Sequence, residues 1–230
     1  MSMTMDRMKD LTIWCTYHND AQLAQYGLQE DGVMKLFKGN ATDVEGENIN
    51  HLNAFYAEIC TYYWVWKNAV RSQTVGFCHY RRRFGRLMPI ASGACQVLAI
   101  NRNFPLMRQY KTAHNYQDYY DAIDILNDLY GEGNQYSKYM LEGRVFIPCC
   151  CFVMQWEDFD RLCHFLFPIL EAFDKRNGLN MIPDRYAEKA MRDFRYDDVV
   201  YQRRAISFLA ERLVSCFLVC EMRAYCISEI

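Results

Sequence analysis

The run His79-Tyr80-Arg81-Arg82-Arg83 places three guanidinium groups next to an imidazole. Arginine offers a planar fork that grips phosphate or carboxylate oxygens in pairs, so the run is a candidate diphosphate or carboxylate site. A solvated turn whose arginines meet surface acids is the plainer alternative. A second polar cluster, Tyr17-His18-Asn19-Asp20, follows the apolar run 11–16. The two clusters sit in equivalent places, each after a short apolar segment that reads as a buried strand, Leu11 to Thr16 and Val75 to Cys78. In open α/β sheets, ligands bind beyond the C-terminal ends of strands.

Other chemistries find less support. The chain carries neither a Gly-rich phosphate loop nor a G-x-S-x-G nucleophile elbow. No Asp-x-Asp pair of the kind that holds a divalent ion against a nucleotide sugar is read, and the doublet Asp197-Asp198 is more simply the start of a helix. The 11 cysteines are scattered, odd in number and mostly inside apolar stretches, as expected of reduced core thiols in a cytosolic protein. Cys149, Cys150 and Cys151 are consecutive, so on a strand they alternate between faces and do not converge on one ion. A net charge of -2 argues against a nucleic-acid partner, although arginines and aromatics are plentiful.

The elements that must position these groups are partly readable. Hydrophobic residues at 51% of 230 suffice for a substantial core, and no linker or repeat divides the chain, so residues 1–230 are read as one domain. Residues 21–50, with Gly27, Gly32, Gly39 and Gly46, read as loops and turns. Asn53 is a plausible N-cap for one helix over Ala54 to Asn68, with Phe55, Ile59, Tyr62, Tyr63 and Trp66 on its stripe. On that helix Trp66 is expected in the core and Trp64, off the stripe, lining a pocket. Val97 to Ile100 reads as a strand, Asp118 to Tyr130 as a helix with Asp121, Asp124 and Asp128 on its wet side, and Val145 to Met154 as extended chain broken by Pro148. Glu157 to Phe173 is an amphipathic helix kinked at Pro168 and stopped by Asn177-Gly178; Val199 to Val219 is the last helix. Strands alternating with helices indicate an α/β fold with a mixed sheet. No apolar run approaches the roughly 20 residues of a spanning helix. The most apolar stretch, 213–220, reads as a buried core helix before it reads as a peripheral membrane contact.

These motifs together resemble a known family, the uncharacterised-domain glycosyltransferases of bacterial capsular and exopolysaccharide gene clusters. The resemblance runs from about Ile13 to Leu213. It is carried by Asn48-Ile49-Asn50 to Asn53, Glu58, Tyr63-Trp64-Val65-Trp66-Lys67-Asn68, Val75-Gly76-Phe77-Cys78-His79-Tyr80-Arg81-Arg82, Gln109-Tyr110 with His114 and Asp118, and Tyr201-Gln202-Arg203-Arg204 with 208–213. Cys149-Cys150 departs from an Asn-Met pair common in that family, and the stretch after Phe84 lacks an acidic residue near Gln96. The resemblance implies a single Rossmann-like mixed sheet flanked by helices, similar to the A-type glycosyltransferase fold. It also implies transfer of a sugar from a nucleoside-diphosphate sugar, a UDP-sugar first, to an oligosaccharide acceptor that is lipid-linked. Catalytic candidates are then His18, Glu58, His114 and Asp118, unranked as bases. Candidate nucleotide-sugar contacts are Tyr17, Asn19, Asn53, Trp64, Lys67, His79, Tyr80, Arg81, Arg82 and Gln202. No cofactor is called for: the resemblance leaves room for a divalent metal, but arginines stand where metal-dependent relatives of the fold place their acidic motif. A cytoplasmic enzyme, peripheral at the inner face of the membrane, is the expected setting. The rival expectation is a non-catalytic carbohydrate- or protein-binding module of the same pathway.

Overall fold

The computed structural model describes residues 10–192 and 198–226. Asp197 of the acidic doublet lies outside them. In chain order the elements begin with β1 (Leu11–Tyr17), α1 (Ala21–Tyr26), β2 (Met34–Lys38), a 3-10 turn (Asn50–Leu52), α2 (Asn53–Tyr56), α3 (Ile59–Asn68) and β3 (Thr74–His79). There follow β4 (Ala94–Val97), β5 (Asn101–Arg102), α4 (Leu106–Ala113), α5 (Tyr116–Tyr130), α6 (Gln135–Glu142), β6 (Val145–Phe146) and β7 (Phe152–Gln155). The chain continues with α7 (Trp156–Arg176), α8 (Pro183–Met191), α9 (Val199–Gln202), α10 (Ala205–Glu221) and β8 (Arg223–Cys226).

Six strands form one mixed sheet in the order β2-β1-β3-β7-β4-β8. β1 pairs in parallel with both β2 and β3, while β7 runs antiparallel between β3 and β4. The α/β class with a mixed sheet is thus as expected. Strand alternation sorts the core into two layers. Val75 and Phe77 of β3 join Phe152 and Met154 of β7 under the long helices α7 and α10. Leu11, Ile13 and Cys15 of β1 face the other way, with Cys78, Cys151 and Val153. That second face is covered by α1 and by the segment around Phe84, Leu87 and Ile90, not by long helices. β3 is buried along its whole length, as a strand covered on both faces must be.

Several expectations are corrected. Residues 21–50 are not all loop: α1 and the parallel edge strand β2 form there, and Gly27, left-handed at φ 58°, closes α1. The helix expected over 54–68 is broken at Ala57, whose φ of 49° lies in the left-handed region, so Asn53 does not cap it; Glu58 sits at the start of α3 instead. The strand expected over 97–100 lies earlier, at Ala94–Val97. α4, α6 and α8 were not expected. Asn134 caps α6 by accepting from the backbone N–H groups of Tyr136 and Ser137, and Pro183 opens α8 with its ring already set for the first turn. The last helix is divided, with a turn at 203–204 between α9 and α10. α7 runs through Pro168 and stops before Gly178, at φ 65°. Leu213, Val214, Cys216, Phe217 and Leu218 are all buried, which places 213–218 in the core.

At the centre of the sheet, Gly76 is required by close approach. A Cβ there would stand 2.9 Å from Val153 Cγ2 and 3.1 Å from Ile13 Cγ1. Gly76→Ala is expected to lower the unfolding free energy by about 1–3 kcal/mol, the usual cost of overpacking. Urea denaturation measures this, and adding Val153→Ala should return part of the loss.

Candidate functional site

Because β1 and β3 are parallel and in register, with Thr16 opposite His79, their C-terminal ends open on the same side of the sheet. A cleft of about 400 Å³ lies there. Its floor comes from the residues that leave these strands, His18 after β1 and His79, Tyr80, Arg81 and Arg82 after β3. One side is the α2–α3 break, with Asn53, Ala57 and Glu58. The opposite side is the C-terminal helical segment, with Tyr201, Arg204, Ser207, Phe208 and Glu211.

Each part is held by identifiable contacts. The turn after β3 is tight: the backbone N–H of Arg82 donates to His79 O at 2.8 Å and that of His79 to Arg82 O at 3.2 Å. The Arg81 and Arg82 side chains are left exposed, the Arg81 guanidinium 5.1 Å from the centre of the Tyr80 ring. Thr16 and Thr61 share a buried hydroxyl hydrogen bond of 2.8 Å, which fixes α3 against β1. Asn53 Nδ2 donates to Ala57 O at 3.0 Å, bracing the left-handed residue that turns the chain toward Glu58. Gly39 packs against this corner; a Cβ there would lie 2.9 Å from Asn53 Nδ2 and 3.1 Å from Thr16 Cγ2.

The far rim is a strained bend. Cys149 and Cys150 have φ of 78° and 51°, two successive non-glycine residues in the left-handed region. Such strain persists where the surroundings over-determine it. The Cys149 N–H donates to Glu211 Oε1 at 2.6 Å, and the Tyr62 hydroxyl donates to Cys150 O. Glu211 also accepts from Arg212 Nη1 at 2.6 Å, and its carboxylate borders the cleft.

The electrostatics follow from partial burial among cations. Burial pushes the His79 imidazole down to about 4, and Arg82 and Arg81 push the same way. His79 Nδ1 faces the Arg81 backbone N–H at 3.4 Å as an acceptor, which leaves the proton on Nε2. His18 is lowered by burial, then by Arg204 and Arg81, against a hydrogen bond with Asn53. Glu58 is raised by burial, and Arg204 and Arg81 only partly oppose this. No ion pair forms at Glu58 among the described residues.

Seven of the expected site residues therefore converge: His18, Asn53, Glu58, His79, Tyr80, Arg81 and Arg82. The others lie elsewhere. Asp118 is buried in an ion pair with Lys189, beside a separate small cavity that Gln202 also borders. His114 is buried behind Phe208, its ring centre 4.1 Å away and nearly parallel, and burial first, then Arg212, hold it at about 4. Gln202 Nε2 donates to Ala113 O at 3.1 Å. Asn19 accepts from the Gln22 N–H in the first turn of α1 at 3.2 Å, and Tyr17 packs into the second core layer. Trp64 does not line the cleft; it packs on Trp14 and Phe37 and donates to Glu45 O at 2.8 Å. Trp66, expected in the core, is only partly buried: it stacks on Phe167, donates to Asp160 Oδ1 at 2.9 Å, and carries the Lys67 ammonium 3.9 Å over its ring. Lys67 is thereby occupied outside the cleft.

The sequence does contain one Asp-x-Asp spacing, at Asp158-Phe159-Asp160, but it lies in the first turns of α7. Asp158 accepts from the Gly93 N–H at 2.8 Å and Asp160 from Trp66, so both serve packing. Among the described residues, no group of three or more His, Cys, Asp or Glu side chains is placed to hold a metal ion. Cleft residues missed by the sequence reading are Thr16, Cys149, Tyr201, Arg204, Ser207 and Phe208. The signal for the helical ones was polar and aromatic residues recurring at 201, 204, 208 and 211, three or four apart, beside an otherwise apolar helix.

The family described as "Domain of unknown function (DUF4422)" matches residues 24–100 and 94–222, most of the chain. The chain belongs to this family. No curated protein matches the sequence. The fold is similar to that of WbbM, a bifunctional glycosyltransferase solved in its apo form, with a TM-score of 0.71 at 20% identity. The match covers 94% of this chain and 44% of WbbM, so this member of the family spans under half of that protein's length. The likeness establishes the α/β fold expected from the sequence. No helix among the described residues is long and apolar enough to cross a membrane.

The two buried, neutral imidazoles tie stability to pH. An unfolded histidine takes up a proton near 6.5, whereas folded His79 and His114 resist it until about 4. The unfolded state therefore binds more protons between these values, and stability falls as pH drops from about 6.5 to about 4, by at most about 3.4 kcal/mol per histidine. Urea unfolding at pH 7 and pH 5 should show the loss, and NMR titration of the ring nitrogens should find both groups uncharged at pH 6.

Proposed function

We propose that this chain is a glycosyltransferase that moves a hexosyl unit from a nucleoside-diphosphate sugar, uridine diphosphate in the first instance, to a saccharide hydroxyl. The observation that carries this reading is the meeting, in one cleft at the C-terminal strand ends, of Arg81, Arg82 and Arg204 with a Glu58 of raised basicity. Sugar transfer breaks the bond from the anomeric carbon to a diphosphate oxygen, which departs with the electron pair. Guanidinium groups aimed at that oxygen stabilise the developing charge, the task a divalent ion performs elsewhere. The acceptor hydroxyl must lose a proton as it attacks the anomeric carbon. Glu58 takes it, because its burial brings a carboxylate closer to the basicity useful at neutral pH. His18 is the other candidate base in the cleft, its imidazole held below its ordinary basicity by burial, Arg204 and Arg81. A base on the acceptor side leads to inversion at the anomeric carbon. The resemblance to polysaccharide-cluster enzymes supports an exopolysaccharide or capsular acceptor, lipid-linked and met at the inner membrane face, with this chain in the cytoplasm as a peripheral partner.

The purified protein should release uridine diphosphate from a UDP-hexose, with and without chelator. Arg81→Ala and Arg82→Ala should each weaken UDP binding by about 1.5–3 kcal/mol by calorimetry, with Lys restoring only part. Glu58→Gln should keep UDP binding and lower turnover by about 10²–10⁴-fold. UDP affinity unchanged in both alanine variants would contradict the reading, and binding without turnover in the wild type would favour a non-catalytic module.

A further inference from the structure

The helical side of the cleft carries a feature that the phosphate chemistry does not use. Tyr201 borders the cleft and is 45% exposed. Its ring lies 4.7 Å from that of Phe208, which also borders the cleft. Phe208 in turn lies flat on buried His114, 4.1 Å away at an interplanar angle of 21°. His114 is backed by Tyr110, 4.8 Å behind it. The exposed ring is therefore the open edge of a cluster of four aromatic rings anchored in the core, in which Phe208 and His114 lie nearly parallel while Tyr201 is tilted on Phe208 and Tyr110 on His114. Uncharged His114 lets this cluster extend inward without placing a cation there.

Arg81 and Arg82 stand on the turn after β3. The helical side carries both signs: Arg204, its guanidinium 5.7 Å from the centre of the Phe208 ring, and Glu211 one turn beyond Phe208. Glu211 is fixed by the Cys149 N–H and by Arg212. A carboxylate repels a diphosphate but accepts hydrogen bonds well from sugar hydroxyls, and an aromatic face takes the C–H side of a sugar ring. We propose that Tyr201 and Phe208 form the platform for the acceptor saccharide, with Glu211 accepting from its hydroxyls, while the diphosphate lies on the side of Arg81 and Arg82. The acceptor role rests on the transferase reading, whereas sugar binding by the platform does not.

Saturation-transfer NMR with the methyl hexopyranosides of glucose, galactose, mannose and N-acetylglucosamine tests the platform. Calorimetry with UDP, run in parallel, tests the nucleotide side. In the wild type and in Tyr201→Phe, saturation should reach the ring C–H protons of at least one glycoside. In Tyr201→Ala that signal should fall at least fivefold while the UDP dissociation constant stays within twofold. No glycoside signal from the wild type, or an equal signal from Tyr201→Ala, overturns the platform. A tenfold loss of UDP affinity in Tyr201→Ala overturns it too, because the ring would then stack on the nucleobase. Tyr201-dependent glycoside binding by a protein that does not bind UDP would uphold the platform and remove the transferase reading.

Discussion

The structure depends most on the parallel pairing of β1 with β3. Thr16 opposite His79 brings two chain exits, at His18 and at His79, to one end of the sheet. A slip of one residue would exchange the faces of Ile13, Cys15, Val75 and Phe77, so burial on both faces makes the register costly to change. Gly76 enforces it sterically, because only a residue without Cβ fits between Ile13 and Val153. The cleft's floor is thus a consequence of core packing, and a tight turn sets Arg81 and Arg82 at its border with their side chains exposed.

The same logic explains the two sides. Glu58 reaches the cleft because the chain turns sharply at Ala57, and that turn is braced by Asn53, which also contacts His18. Cys149 and Cys150 bend the opposite rim under strain that Glu211 and Tyr62 hold in place. Of the six non-glycine residues with positive φ among the described residues, Ala57, Cys149 and Cys150 border or adjoin this cleft, while Asn103, Asn180 and Met181 lie elsewhere.

Much of this was legible in the sequence. Val75 to Cys78 followed by His79 to Arg82 is an apolar run ending abruptly in cations, and that edge marks a strand end whatever the fold. His18 follows the same rule. Asn53 and Glu58 entered through the family resemblance, and the structure shows why the two lie together. Most of the expected residues that stand away from the cleft share a cause. Trp64, His114, Asp118 and Gln202 are residue types that can bind sugars or move protons, but their partners are far away in sequence: Glu45 for Trp64, Lys189 for Asp118, Phe208 for His114, Ala113 for Gln202. Spacing alone does not reveal a partner 19 to 94 residues distant. β2 was missed because its pattern, Met34 to Lys38, is half polar, as an edge strand tolerates. The helical break at Ala57 was missed because alanine carries no signal for a left-handed turn.

The central claim is that Arg81 and Arg82 hold a diphosphate at the joined ends of β1 and β3. A crystal structure of the protein with UDP tests it most directly. The account predicts diphosphate oxygens within about 3 Å of both guanidinium groups, with Glu58 facing the open space beyond the terminal phosphate. A diphosphate bound elsewhere, with the Arg81 and Arg82 side chains still turned to solvent, would contradict it.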